Sequence, residues 1–151
     1  TVSLNVVREY FKLVPEATPN RIVYAEQPFD GTVRSGDVVI VRLTVNATEA
    51  QSYLQIEDPI PAGFEFVEQE NLYELKTKPD WWTFYYTRRE FHDDRAALFS
   101  TQFARGQGRF HYMLKAVTPG TFQANPARVL PMYEPARQAS TRSATVTVTP
   151  R

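Results

Sequence analysis

Two histidines, a pair of adjacent aspartates and several arginines are the side chains of this sequence best suited to proton transfer or ion binding. His92-Asp93-Asp94 sets an imidazole beside two carboxylates, a combination that can ligate a metal or act as general acid and base. A metal would need a second set of ligands, and the only other histidine is His111. The plainer reading is a hairpin turn with solvated side chains, since charged residues here separate two apolar runs. Arg88, Arg89 and Arg95 lie near enough in sequence to pair with Asp93 and Asp94. Serine, histidine and aspartate are all available for a triad, but no nucleophile-elbow pattern occurs and no serine falls at a strand-to-helix turn. Gly106 and Gly108 have neither a following helix nor a P-loop lysine, so they form no phosphate cradle. Glu65, Glu68 and Glu70 lie near a strand end, where exposed charges are ordinary. The absence of cysteine excludes disulfides, thiolate metal sites and cysteine nucleophiles together. The sequence thus predicts no enzyme, no metal site and no cofactor.

Two other groups point to contact rather than catalysis. Trp81 and Trp82, followed by Phe84, Tyr85 and Tyr86, form a dense aromatic cluster that could stack on sugars or anchor a partner. Strand alternation can turn only half of these rings inward, so a tryptophan exposed or buried against a neighbouring domain and one filling the core both stay open. Met132-Tyr133 lies between Pro131 and Pro135, which stiffen the backbone and limit the entropy lost on docking. An adaptable Met beside a rigid, amphipathic Tyr suits a contact pad. A loop folded onto its own domain is the reading that the residues by themselves favour.

The elements that must position these groups announce themselves by two-residue alternation. In 36-46, Val39, Val41, Leu43 and Val45 share one face, while the other begins apolar at Val38 and Ile40 and turns polar at Arg42 and Thr44. Phe110, Tyr112, Leu114 and Ala116 oppose His111, Met113 and Lys115. Ala144, Val146 and Val148 alternate with Thr145, Thr147 and Thr149, and such β-branched residues favour a pleated surface. Asp30-Gly31, Ser35-Gly36, Pro61-Ala62-Gly63, Gly106-Gln107-Gly108 and Thr118-Pro119-Gly120 punctuate the runs as turns. The expected strands are 3-13, 20-25, 37-46, 52-57, 64-68, 83-91, 95-103, 108-117, 121-130 and 143-149, with long loops at 69-82 and 131-142. Without helices for parallel crossovers, the class is all-β: an antiparallel two-sheet sandwich of the fibronectin type III kind.

The 151 residues suit a single domain spanning 1-151, large enough to hide roughly 70% of its unfolded surface. Lys plus Arg equals Asp plus Glu at 17 each, leaving no positive excess for nucleic acid or an anionic membrane. The opening Thr1-Val2-Ser3-Leu4 reads like a strand entered mid-chain, as in a domain excised from a larger protein. On its own such a domain is expected to be monomeric.

Several segments in order resemble a known family. Glu57-Asp58-Pro59-Ile60-Pro61-Ala62-Gly63-Phe64-Glu65 is similar to the D-P-L-P-A-G-F-E stretch of bacterial alpha-2-macroglobulins. Asp93-Asp94-Arg95 with Leu98-Phe99 resembles the D-D-R turn and next strand of that family. Tyr112-Met113-Leu114-Lys115-Ala116-Val117-Thr118-Pro119-Gly120-Thr121-Phe122 resembles Y-x-L-R-A-V-T-P-G-x-F, with Lys115 in place of the usual Arg. Pro126-Ala127 and Met132-Tyr133-Glu134-Pro135 resemble the closing P-P-A and M-Y-x-P, with Asn125 where a second proline is common. The matches span 36-149 and resemble the C-terminal macroglobulin-like (MG10) domain. The resemblance implies a non-catalytic part of a large, broad-spectrum endopeptidase inhibitor, periplasmic and lipid-anchored to the inner membrane. Such a protein meets target proteases and is thought to work beside a peptidoglycan glycosyltransferase. It further implies that Met132 and Tyr133 shield a Cys-Gln thioester on a neighbouring domain until bait cleavage. An adhesin-like module binding glycan or protein through Trp81 and Trp82 is the competing expectation.

Overall fold

A computed structural model describes residues 4–76 and 88–151. Its strands are β1 (Leu4–Ala17), β2 (Ile22–Pro28), β3 (Thr32–Arg34), β4 (Val38–Ala47), β5 (Gln51–Pro59), β6 (Phe64–Phe66), β7 (Arg88–Phe91), β8 (Arg95–Phe103), β9 (Gly106–Ala116), β10 (Gly120–Ala124), β11 (Arg128–Pro131), β12 (Ala139–Ser140) and β13 (Ala144–Thr149). Hydrogen bonding sorts them into three sheets, ordered β2-β1-β4-β9-β6, β10-β13-β3 and β12-β11-β5-β8-β7. Pairing is antiparallel except where β13 runs parallel to β3. The fold is the expected β-sandwich, with strands packed face to face over a shared core.

Alternation assigns the inward faces. Val39, Val41, Leu43 and Val45 of β4 meet Phe110, Tyr112 and Leu114 of β9, Leu54 and Ile56 of β5, and Val146 and Val148 of β13 in one cluster. The other face of β4 explains its change of character midway. Val38 and Ile40 join Leu13 and Met113 in a second cluster, closed from outside by Val67 and Leu75. The expected loop 69-82 is therefore anchored along its described part. After a 3-10 turn at Glu70–Leu72, the Tyr24 amide donates to the Glu74 carbonyl and the Lys76 amide to the Tyr24 carbonyl, both at 2.8 Å. These residues form an outer cover for the first sheet.

Four departures from the expected strands have identifiable reasons. β1 runs through Pro15 to Ala17, because its pairing with β4 ends at Leu13↔Val38 and only β2 accompanies it further. A proline is tolerated where one edge of the strand is free. The expected strand 121-130 is two strands in different sheets, interrupted at Asn125-Pro126. Proline cannot donate to a ladder, so the chain changes sheets there. β3 and β12 are strands where turn and loop were expected; each is only two or three residues long and defined by its partner.

Candidate functional site

Met132 and Tyr133 leave the end of β11 as a turn. Pro131 pairs with Leu54 of β5, and the ladder goes one step further when the Met132 amide donates to the Tyr53 carbonyl at 3.0 Å. The Glu134 amide then donates to the Pro131 carbonyl at 3.3 Å, and Pro135 opens a 3-10 turn through Arg137. Both side chains face outward, Met132 53% and Tyr133 73% exposed. Tyr53, 47% exposed, joins them: its ring meets that of Tyr133 edge to face, with centroids 5.3 Å apart and planes at 89°. Three large apolar side chains thus form one surface pad, although single exposed hydrophobics are unremarkable. Beside the pad a cleft of about 240 Å³ is lined by Tyr53, Leu54, Arg88, Phe99, Thr101 and Met132.

Tyr53 holds an unusual backbone. Its φ of 59° lies in the left-handed region, the sole positive φ at a non-glycine among the described residues. Ser52↔Gln102 and Leu54↔Ser100 keep the same register on either side, so the inversion causes no slip. It does break the alternation, leaving Ser52 and Tyr53 both exposed before Leu54 turns in. Nothing in the spelling of β5 signals this, and sequence reasoning passed over Tyr53.

The aspartate of the Asp58-Pro59-x-Pro61 stretch proves to be a core residue. Asp58 is fully buried, and it accepts from the Arg8 guanidinium at 2.6 Å and from the Tyr112 hydroxyl. Arg8 also donates to the carbonyls of Asn125 (2.7 Å), Ala124 (3.2 Å) and Arg142 (3.1 Å), tying β1 to the segments around the sheet change. Burial pushes the Asp58 carboxyl up, while Arg8 and the Tyr112 and Arg8 hydrogen bonds pull it back. Burial would lower Arg8, but Asp58 and Tyr10 outweigh it and the guanidinium is held more firmly charged. The Tyr10 phenol, pushed up by burial and by Asp58, closes this cluster. Five residues on from Asp58, Gly63 has φ +89°, and a Cβ there would lie 2.6 Å from the Phe122 ring. The Asp58–Phe64 stretch and the Thr118–Phe122 run therefore touch, which is a packing reason for both.

The candidate catalytic groups are scattered. His92, Asp93 and Asp94 form the exposed turn between β7 and β8, closed by the His92 amide on the Arg95 carbonyl at 2.9 Å. Arg95 pairs with Asp94 at 3.1 Å, whereas Arg88 pairs with Glu90 and Arg89 with Glu70. His111 is buried on the outer face of the first sheet, 3.9 Å from Glu70 and cross-strand from Arg42. Burial, then Arg89 and Arg42, lower its pKa to about 4, so the imidazole is neutral near pH 7. No group of three or more potential metal ligands occurs among the described residues. Trp81 and Trp82, with Phe84, Tyr85 and Tyr86, lie outside the described residues.

This sandwich and its ordered motifs belong to a family. Residues 4–136 match the model of the Bacterial Alpha-2-macroglobulin MG10 domain, and the chain belongs to that family. An alpha-2-macroglobulin homolog of Nostoc sp. is 32% identical over 117 residues, which cover 75% of this chain and 6% of the relative. A Salmonella alpha-2-macroglobulin mutant superposes with a TM-score of 0.76 at 26% identity, covering 97% of this chain and 9% of that one. The Salmonella protein reacted with methylamine gives 0.72 at 24% identity, with the same coverage of 97% and 9%. This chain thus spans less than a tenth of the length of these relatives.

Proposed function

We propose that residues 1-151 form the C-terminal, non-catalytic macroglobulin-like domain of a larger alpha-2-macroglobulin, where they pack on a thioester domain and cover its reactive bond. The observation that carries this reading is the Met132–Tyr133 turn: two large apolar side chains held outward on a stiff segment, in a family whose Salmonella member has been reacted with methylamine. A thioester is an activated acyl group, and an apolar cover slows its loss by excluding water and small amines. Bait cleavage by a target protease would separate the two domains and expose the bond. The parent then acts as an endopeptidase inhibitor in the periplasm, anchored by lipid, with a peptidoglycan glycosyltransferase as a partner. The target protease, the lipid anchor and the glycosyltransferase belong to the parent, whereas the thioester contact belongs to the pad.

The test uses the full-length parent carrying Met132→Ala and Tyr133→Ala together. Loss of the cover should raise the rate of methylamine inactivation at least tenfold. An unchanged rate, in a parent whose thioester is verified by mass, overturns the shielding role.

A further inference from the structure

We propose that Tyr53 is the positioning residue of this pad, fixing Met132 through its backbone and Tyr133 through its ring; the purpose of that positioning rests on the docking role proposed above. One residue makes both attachments. Its carbonyl takes the Met132 amide, and its ring is the edge-to-face partner of Tyr133. The left-handed φ turns the Tyr53 ring out to the surface on the heels of Ser52 while the strand register stays the same on either side. Glycine would take that backbone without strain. Tyrosine instead sets a half-exposed ring at the surface, against Tyr133. Without the Tyr53 ring, Tyr133 would be free to sample several rotamers, and a docking partner would have to order it at an entropic cost.

The first experiment is NMR on this chain with labelled tyrosine. In the unmutated chain the Tyr133 ring protons should show a ring-current shift imposed by the Tyr53 ring, whose centroid lies 5.3 Å away. Tyr53→Gly should abolish that shift without lowering the melting temperature, because glycine relieves the backbone as it removes the ring. Tyr53→Phe should retain it. If Tyr53→Gly does not fold, Tyr53→Asn supplies the same reading with a residue that tolerates left-handed backbone. A Tyr133 shift that survives both Tyr53→Gly and Tyr53→Asn overturns the positioning role. In the parent, Tyr53→Gly should speed methylamine inactivation severalfold and Tyr53→Phe should restore the original rate. A lost Tyr133 shift, combined with no effect of the Met132→Ala, Tyr133→Ala pair on the parent, refutes docking and leaves positioning intact.

Discussion

Asp58→Ala should be among the most damaging single substitutions available in this fold. The carboxylate is fully buried, with Arg8 at 2.6 Å and the Tyr112 hydroxyl as its partners. Removing one member of a buried ion pair costs about 3–5 kcal/mol, because the surviving charge keeps its desolvation without its counter-charge. Arg8 would retain three backbone carbonyls, which satisfy its geometry but bring no neutralising charge. The Tyr112 hydroxyl would lose the carboxylate to which it donates, adding to the cost. We expect a loss of about 4 kcal/mol, a large share of the ~5–15 kcal/mol that holds a domain together. The assay is urea denaturation of the purified chain followed by far-ultraviolet circular dichroism, read as a shift in midpoint at constant slope. Asp58→Asn, which keeps the size and one acceptor, should cost about half as much. The pair Arg8→Met with Asp58→Leu should lose less than the sum of its single changes, since no charge is stranded. A loss under about 1 kcal/mol for Asp58→Ala, or full additivity in the pair, refutes the argument.

Two further outcomes follow from the same geometry. The His111 imidazole is held to a pKa of about 4 against the ordinary 6.5, so below pH 6.5 the unfolded chain takes up a proton that the folded chain refuses. That contribution is fully present above pH 6.5, falls by about 1.4 kcal/mol per pH unit, and levels off near the folded value after about 3 kcal/mol. Glu70 and Glu26, raised by burial, act with the opposite sign, so the reading is the difference between unmutated protein and His111→Gln in urea titrations across this window. Equal pH slopes would show that His111 does not titrate in this way. Gly63→Ala should cost about 2 kcal/mol, since the added Cβ meets both the Phe122 ring and the Thr118 carbonyl at a left-handed φ. A companion Phe122→Ala, which clears the ring, should restore part of the thermal stability lost by Gly63→Ala; no recovery would mean that backbone strain alone sets the cost.

Much of the pad and the core was legible in residue spelling, and the limits fall in particular places. Pro131 and Pro135 mark a stiff turn, but the spelling alone favours a loop folded onto its own domain, and only the structure shows Met132 and Tyr133 exposed. Tyr53 was invisible, because a left-handed tyrosine inside a strand leaves no compositional trace. Asp58 shares a face with Leu54 and Ile56, and Arg8 with Val6, so two opposite charges lie on inward faces, a pairing that sequence reasoning did not single out.

What the sequence determined by itself is the side each residue presents: the inward stripe of β4, the β9 alternation, the turn at Gly63 and the hairpin at His92-Asp93-Asp94. Those follow from strand geometry and turn chemistry, which act over two to four residues. Only the tertiary structure decided what each side meets. It joined Arg8 to Asp58 across 50 residues of sequence, gave Val38 and Ile40 an outer cover from Val67 and Leu75, and divided 121-130 between two sheets. It also brought the Tyr53 and Tyr133 rings together. The pleat fixes a direction, whereas the partner found in that direction depends on which distant strands share the core.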